Sequence, residues 1–187
     1  MHAMKFLEHA FKEIVTFVIL AVLIVLPIRL FLAQPFVVEG ESMHPTFENG
    51  DYLIVDEVSY RFGDPERGDV IVFRYPGNPS IFYIKRIIGL PGESVSIDRG
   101  QVTVTTTSGA QLPLNEPYVV AEDATYSKTV HLGDNEYYVL GDNRPNSSDS
   151  RVWGALPAND IIGKPLVRLL PPDAVGFNPG AAYEPQQ

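Results

Sequence analysis

The chain contains no cysteine among its 187 residues. This absence excludes disulfide bonds, a thiol nucleophile and thiolate metal ligands. Basic residues are also scarce, because 14 Lys and Arg stand against 23 Asp and Glu, which gives a net charge of -9. Only three of the basic and two of the acidic residues precede Pro35, so the rest of the chain is more acidic still. A surface of this kind disfavours binding to phosphate backbones, and we expect no nucleic-acid partner.

The composition is nevertheless that of a folded protein, since 45% of the residues are hydrophobic and 20% are charged. A chain of this length holds one medium-sized core, and a second large domain is not expected. Changes in composition along the chain predict four segments. These are a short N-terminus at residues 1–13, a transmembrane anchor at 14–33, a β-rich domain at 34–170 and a flexible C-terminal tail at 171–187.

The anchor is predicted from a hydrophobic run between Ile14 and Ala33 that contains a single charge, Arg29. Its length is about the 20 residues that a spanning helix needs, and its apolar residues fall on all faces of a helix. The sequence that follows is a poor match to the small-x-small cleavage site of a removed signal peptide. A cleaved signal peptide and a buried core helix remain alternatives. Lys5 and Lys12 precede the run, which favours an N-terminus in the cytoplasm.

Beyond Gln34 the pattern changes to short β-rich runs that end at Gly, Pro, Asn or Asp. This pattern predicts a mainly β domain with antiparallel strands, partly closed in the manner of a β-barrel. Weaker candidate strands lie near Tyr118–Val120 and Leu166–Arg168. The clearer candidates are Phe36–Val38, Tyr52–Asp56, Asp69–Tyr75, Ile81–Ile88, Ser94–Ile97, Gln101–Thr106 and Glu136–Leu140.

A polar turn follows the hydrophobic run and reads Gly-Glu-Ser-Met-His-Pro-Thr from Gly40 to Thr46. Gly40 permits unusual backbone angles and Pro45 stiffens the exit from the turn. Ser42, between them, could present both its hydroxyl and its backbone N–H to a substrate. Taken alone, an ordinary turn serine is the simpler interpretation.

Lys85 lies inside the apolar run Phe82–Ile88. In a strand it shares a face with Tyr83 and Ile87, whereas Arg86 points to the other side. Such a lysine is either an edge-strand charge that faces water or a buried amine whose pKa is lowered. In the second case the neutral amine could serve as general base for a serine.

The segment Gly141–Arg151 has no apolar residue other than proline in eleven positions. Taken alone, it is a solvated loop. The spacing of its acidic residues does not fit an EF-hand, and we expect no metal and no cofactor. A pair between Ser42 and His131 also stays open as a source of nucleophilic catalysis, although nothing near either residue supports it.

Taken in order, these segments resemble the type I signal peptidases, the membrane-bound serine proteases that remove signal peptides. Ser-Met-His-Pro-Thr at 42–46 resembles the nucleophile box of that family. The Asn115-Glu116-Pro117-Tyr118 stretch also fits. Three further boxes are matched by residues 67–74, 83–93 and 141–151. Each motif alone is weak, whereas four in this order behind a membrane span form a specific signal.

The resemblance implies a Ser/Lys dyad, in which Ser42 is the nucleophile and Lys85 the general base. It implies that Ser147 hydrogen-bonds and orients the Lys85 amine, and that the Ser42 backbone N–H forms part of the oxyanion hole. Ion pairs of Asp142 with Arg86 and of Asp149 with Arg151 are implied as supports. Pockets for small, alanine-like substrate side chains are implied at Phe36, Val38, Met43, Phe47 and Ile84.

Two positions depart from the family pattern. Gly40 stands where members often carry a serine whose hydroxyl completes the oxyanion hole, and Pro145 replaces an acidic residue in the last box. The expected function is a membrane-anchored endopeptidase that removes signal peptides from exported precursor proteins. Its domain would lie on the outer face of the cytoplasmic membrane, with the precursors and the lipid bilayer as partners. A non-catalytic, membrane-tethered β binding module and a specialised peptidase for one precursor are the alternatives.

Overall fold

A computed structural model of the chain describes residues 12–23, 33–120 and 123–181. Residues 12–23 are helical and are here named α1. Within the described ranges, no helix combines the length and the apolar character that crossing a membrane requires. The anchor predicted at 14–33 lies partly outside the described residues, since 24–32 are not among them. The end of the predicted C-terminal tail, at 182–187, also lies outside them.

The described chain after α1 is built from two antiparallel sheets, which confirms the mainly β prediction. The larger sheet consists of β1 (Ala33–Val37), β2 (Tyr52–Asp56), β3 (Val70–Tyr75), β4 (Asn78–Gly89), β9 (Glu136–Leu140), β10 (Leu156–Pro157), β11 (Ile161–Leu170) and β12 (Gly176–Phe177). The smaller sheet consists of β5 (Ser94–Asp98), β6 (Gln101–Thr105), β7 (Gln111–Pro113) and β8 (Ser127–His131).

The larger sheet has the strand order β1-β2-β11-β3-β4-β9-β10, and β12 adds to β11. Its first and last strands are not neighbours in this order, so the described strands form an open sheet without closure into a barrel. The smaller sheet has the order β7-β6-β5-β8. Short 3₁₀ turns occupy Ser59–Arg61, Arg144–Asn146, Ala158–Asp160 and Pro172–Ala174, and one helical turn, α2, occupies Ser150–Trp153.

Strand β4 is central to the larger sheet, because it pairs with β3 on one side and with β9 on the other. Its run of β-branched isoleucines suits a strand that is covered on both faces. Lys85 lies opposite Ile71 of β3, and Arg86 lies opposite Val70. Both basic side chains are buried, so the edge-strand interpretation of Lys85 is excluded.

Three hydrophobic clusters form the core, and β4 contributes to each of them. Ile88 packs with residues of the smaller sheet, including Val95 and Val104. Ile87 packs in a second cluster with β3 and β9. Ile84 packs against a third cluster of Val38, Met43, Phe47, Leu53 and Val70. The two basic residues of β4 are thus held between apolar layers on a strand that cannot move without disturbing the whole core.

The strand predictions differ from the structure mainly at short elements. Residues near Tyr118–Val120 form a turn instead of a strand, and the Tyr118 hydroxyl donates to Glu116 Oε1 at 2.8 Å. Strands β7, β8, β10 and β12 carry too few apolar residues or are too short to give an alternating signal. Leu166–Arg168 lies within the longer strand β11.

The C-terminal segment also differs from the expectation of a flexible tail that begins at Pro171. Gly176–Phe177 forms β12, in which Phe177 pairs with Val167 of β11. The Asn178 N–H then donates to the Leu166 carbonyl at 2.8 Å. Backbone pairing therefore orders residues that carry few hydrophobic side chains, and composition alone gives no sign of it.

Candidate active site

Ser42 lies in the turn between β1 and β2, and hydrogen bonds from two directions hold this turn. The Gly40 N–H donates to Asn49 Oδ1 at 2.9 Å, and Gly40 has the positive φ of +91° that its lack of a side chain permits. From the loop after β9, the Asn143 N–H donates to the Ser42 carbonyl at 3.0 Å, and Asn143 Nδ2 donates to the Glu41 carbonyl at 3.1 Å. The turn is thus joined to a loop about 100 residues later in the chain.

Lys85 reaches Ser42 from the central strand β4. Its Nζ lies 2.8 Å from Ser42 Oγ and 2.8 Å from the Ile84 carbonyl oxygen. The Lys85 side chain is almost completely buried, with 4% of the residue exposed, and its amine lies 5.1 Å from the centre of the Tyr83 ring. Ser42 is only half-buried and lines a groove that opens to the surface.

Burial lowers the pKa of the Lys85 amine from 10.5 to about 8. Two carboxylates, Asp149 and Asp142, act in the opposite direction and raise this pKa by favouring the charged amine. Desolvation outweighs them because the amine is enclosed by apolar side chains. A substantial fraction of the amine is therefore neutral in mildly alkaline solution and can accept a proton.

Ser147 differs from the expectation, because its Oγ is buried and makes no hydrogen bond in the described structure. The predicted bond from Ser147 to the Lys85 amine is not formed. Ser147 Oγ instead packs against the backbone of Gly141, where a Cβ atom would collide with it. The same Cβ would lie 2.5 Å from the Ser42 carbonyl oxygen, so Gly141 lets the loop approach the serine turn closely.

Arg86, which is next to Lys85 in the chain, forms a buried, two-point ion pair with Asp142. Arg86 Nε lies 2.9 Å from Asp142 Oδ1, and Nη2 lies 2.7 Å from Oδ2. Thr46 Oγ1, at the end of the serine turn, also donates to Asp142 Oδ2 at 2.5 Å. The pair therefore links β4, the loop after β9 and the serine turn.

Asp149 and Arg151 form the second ion pair at the start of α2. Arg151 Nε lies 2.9 Å from Asp149 Oδ1, and the fully buried carboxylate also accepts the backbone N–H groups of Arg151 and Gly141. Asp149 thus caps α2 and holds the beginning of the loop. Of the two carboxylates that oppose the lowering of the Lys85 pKa, Asp149 has the larger effect.

Two supporting contacts were not predicted from the sequence. Arg144 is buried, donates through Nε to the Gly141 carbonyl at 3.1 Å, and pairs with Glu116 at 2.5 Å. Arg168 of β11 donates to the Thr46 carbonyl at 2.5 Å and lies 3.2 Å from Asp51. The stretch Asn115–Tyr118, which matches the family pattern, contains Glu116 and so pointed to the partner of Arg144. Nothing in the sequence around Arg168 indicates its contacts.

A groove of about 350 Å³ opens beside Ser42 and Lys85. Three of the predicted pocket residues, Phe36, Val38 and Ile84, line it. The other two, Met43 and Phe47, do not line it, because both are buried in the cluster beneath and pack with Val38. Residues of the lining that sequence reasoning missed include Leu53, Val72 and Tyr83.

His131 has a different partner from the one that the sequence left open. His131 lies on β8 in the smaller sheet, and its Nδ1 is 2.6 Å from Ser94 Oγ. The alternative pair of Ser42 and His131 is therefore not formed. In the ranges that the structure covers, no cluster of three or more His, Asp or Glu side chains is placed to hold a metal ion.

Replacement of Asp142 by asparagine should destabilise the domain strongly, because it leaves the Arg86 charge buried without its partner. Removing one partner of a buried ion pair costs about 3–5 kcal/mol. Denaturant unfolding of the two proteins, followed by circular dichroism, measures this loss. Asp98→Asn is the matched control, since Asp98 and Arg99 form an exposed pair whose loss should have little effect. Equal stabilities of the Asp142→Asn variant and the wild type would contradict the structural role of the buried pair.

Comparison with known proteins gives matches along most of the chain. The model of the family described as signal peptidase, peptidase S26, matches residues 11–170. A probable signal peptidase I-1 of Synechocystis sp. is 38% identical over 167 residues, which cover 86% of this chain and 83% of that relative. A signal peptidase I of Leptolyngbya laminosa is 40% identical over 172 residues, which cover 88% and 82% of the two chains.

Among solved structures, a signal peptidase I of Enterococcus faecalis is 31% identical, covers 55% of this chain and 97% of that chain, and has a TM-score of 0.46. The family match and the two sequence relatives each extend over more than four-fifths of the chain. The chain therefore belongs to the signal peptidase family, peptidase S26.

Proposed function

We propose that the chain is a membrane-anchored serine endopeptidase that removes N-terminal signal peptides from exported precursor proteins, with Ser42 as nucleophile and Lys85 as general base. The observation that carries the proposal is the 2.8 Å distance between a buried lysine amine and a serine hydroxyl. A non-catalytic binding module has no need of this contact. Such a module also gains nothing from burying an amine, since burial of an unpaired cation costs free energy.

In the proposed reaction, the neutral Lys85 amine takes the proton of Ser42 Oγ as Oγ attacks the scissile carbonyl carbon. The negative charge that develops on the carbonyl oxygen is stabilised by the Ser42 backbone N–H. The Lys85 ammonium then donates its proton to the leaving amine, and an ester of Ser42 remains. Lys85 next takes a proton from the water molecule that attacks the ester carbon, and it returns this proton to Ser42 Oγ as the bond from Oγ to the acyl carbon breaks and the new carboxyl terminus leaves.

The groove supports a preference for small side chains in the substrate. Branched apolar residues line it beside the dyad, among them Val38, Leu53 and Ile84. Two of these, Val38 and Leu53, belong to the packed cluster beneath the groove and cannot withdraw without opening the core. Alanine-like residues at the first and third places before the cut would fit such a groove, whereas large ones would collide with its floor.

The hydrophobic run at 14–33 supports the proposed anchor. A single span would place the β domain on the outer face of the cytoplasmic membrane, next to precursors that are held in the same bilayer by their own apolar segments. Confinement of enzyme and substrate to one surface raises their effective concentration without any new contact between them. The lipid bilayer is thus a partner of the enzyme as well as its location.

Cleavage of a signal-peptide-bearing precursor by the purified protein, measured as a function of pH, tests the proposal. Only the neutral amine acts as base, so kcat/KM should rise about tenfold per pH unit in the acidic range and level off above the Lys85 pKa of about 8. The plateau should therefore begin in mildly alkaline solution. A rate that stays constant between mildly acidic and alkaline pH would contradict Lys85 as the base.

A further inference from the structure

Residues 171–181, here named the C-terminal strap, run from the end of β11 back to the side of the proposed active site. They lie beyond the residues 11–170 that match the family. The strap pairs with β11 through β12, and the Ala181 N–H closes a turn on the Asn178 carbonyl at 3.1 Å. This turn brings the Gly180 carbonyl to 2.9 Å from Arg86 Nη1. A segment outside the matched region therefore contacts a residue next to Lys85.

Arg86 is buried, with 1% of the residue exposed, and its guanidinium group needs acceptors for five N–H donors. Asp142 accepts from Nε and Nη2, and Thr46 Oγ1 lies 3.5 Å from Nη2. The remaining nitrogen, Nη1, donates to the Gly68 carbonyl at 2.8 Å and to the Gly180 carbonyl. Gly180 is thus the acceptor that the strap supplies to this nitrogen.

Gly180 is specifically suited to this contact. Its φ is +88°, and a Cβ atom there would lie 3.0 Å from side-chain atoms of both Phe47 and Val70, which are core residues. Only glycine lets the backbone approach the core closely enough for its carbonyl to reach Arg86. Gly176, four residues earlier in the strap, has nothing within 4 Å of a Cβ position.

We propose that the C-terminal strap is a positioning element of the proposed active site, in which the Gly180 carbonyl holds Arg86 in the orientation that pairs with Asp142. The inference rests on the proposed function of Ser42 and Lys85. Gly180 touches no reacting atom and acts through Arg86. Asp142 connects Arg86 to the serine turn in two ways. It accepts a hydrogen bond from Thr46, and its neighbour Asn143 donates its N–H to the Ser42 carbonyl.

The proposal also predicts the direction of a change in the acid limb of the activity profile. The charged groups that act on the Lys85 amine are Asp142, on the loop after β9, and Asp149, at the start of α2. If Arg86 is displaced, it neutralises Asp142 less well, and the pKa of Lys85 rises. The acid limb then moves to higher pH, which loss of fold stability alone would not cause.

The test compares Gly180→Ala with Gly176→Ala in the full chain, purified in detergent micelles and assayed on a precursor peptide. We expect Gly180→Ala to lower kcat about tenfold with KM changed less than about twofold, because the dyad is displaced while the groove is intact. Its acid limb should lie at higher pH than that of the wild type. Gly176→Ala should resemble the wild type in all three quantities.

The proposal is overturned if Gly180→Ala keeps the kcat and the acid limb of the wild type, even when its melting temperature is lower. It is also overturned if both glycine variants lose activity equally. Should Gly180→Ala fail to fold, Gly180→Asn in the full chain replaces it, because asparagine adopts a positive φ more readily while its Cβ still meets Phe47 and Val70. Wild-type kcat and acid limb in that variant would refute the role of the strap.

Precursor cleavage by the wild type and by Ser42→Ala distinguishes failure of the proposed function from failure of the strap proposal. If the wild type cleaves no precursor, the peptidase assignment fails, but the strap is still tested by the titration of Lys85. The chain has five lysines, and ¹⁵N-labelling of their amines allows each to be followed by NMR. A higher Lys85 pKa in Gly180→Ala than in Gly176→Ala supports the strap, and an equal pKa overturns it.

Discussion

Replacement of Ser42 by alanine is expected to reduce precursor cleavage by about 10³-fold or more. Without Oγ there is no atom to form the acyl intermediate, and only the weak background attack of water remains. The loss should fall on kcat, because the groove beside Ser42 is formed mainly by β1, the turn that follows it and β4, and the substitution leaves their backbone in place. The measurement is the rate of appearance of the mature protein from a precursor, with the variant and the wild type at equal concentration.

Ser148→Ala is the matched control for this experiment, since Ser148 also lines the groove but is not among the hydrogen-bond partners that the structure gives the Lys85 amine. It should cleave at nearly the wild-type rate. The melting temperature of Ser42→Ala should also remain near that of the wild type, because Ser42 is half-buried and its turn is held by backbone contacts. Turnover by Ser42→Ala within tenfold of the wild type would remove Ser42 as the nucleophile.

Replacement of Lys85 by methionine should lower kcat by about 10²–10⁴-fold, the usual contribution of a general acid–base group. Methionine has a similar length and suits the apolar surroundings, so the fold should be retained. Lys85→Arg should be inactive for a different reason, since a guanidinium group does not give up its proton in the working range of pH. Measurement of kcat and KM over a range of pH distinguishes loss of the base, which lowers kcat, from loss of substrate binding, which raises KM.

Lys128→Met is the control for the lysine variants, because Lys128 is exposed on β8 in the smaller sheet. It should leave both the rate and its pH dependence unchanged. The Lys85 variants should lose the rise of activity that precedes the plateau at about pH 8, as well as most of the rate itself. A Lys85→Met variant with near-normal turnover would show that another group serves as the base.

The environment of Lys85 would let the proposed dyad act without a third charged residue. Desolvation is the largest influence on the amine, and the two carboxylates that oppose it are both engaged with arginines. Arg86 and Arg151 neutralise Asp142 and Asp149, so the carboxylates hold the loop without strongly stabilising the Lys85 ammonium. The two ion pairs therefore hold the site in place while raising the Lys85 pKa less than desolvation lowers it, as the proposed mechanism requires.

The candidate site illustrates which features can be predicted from sequence. The turn at Ser42, the apolar run around Lys85 and the polar loop after β9 were recognised because each has an unusual local composition. Whether Lys85 was an exposed edge charge or a buried amine could not be decided locally, since both fit an alternating strand. The pairing of β4 with both β3 and β9 decides it.

The predicted pocket residues show that a motif does not by itself determine the direction of a side chain. Met43 and Phe47 lie in the recognised turn, but the turn directs them into the core while Val38 and Ile84 reach the groove. Ser147 lies in a recognised loop, yet its hydroxyl packs against Gly141 and forms no bond to Lys85. Sequence position therefore located these residues near the site without determining what each side chain contacts.

The amino-acid sequence by itself determined that this protein is a mainly β chain behind a hydrophobic N-terminal run, with a serine, a lysine and a polar loop in a recognisable order. These are properties of composition and local spacing, which neighbouring residues establish. Only the tertiary structure decided that the lysine is buried within hydrogen-bond distance of the serine, and that Arg168 and the Gly180 carbonyl support the turn and the ion pair behind it. Such contacts join residues more than 40, and in some cases more than 90, positions apart, and packing of the whole sheet is what brings them together.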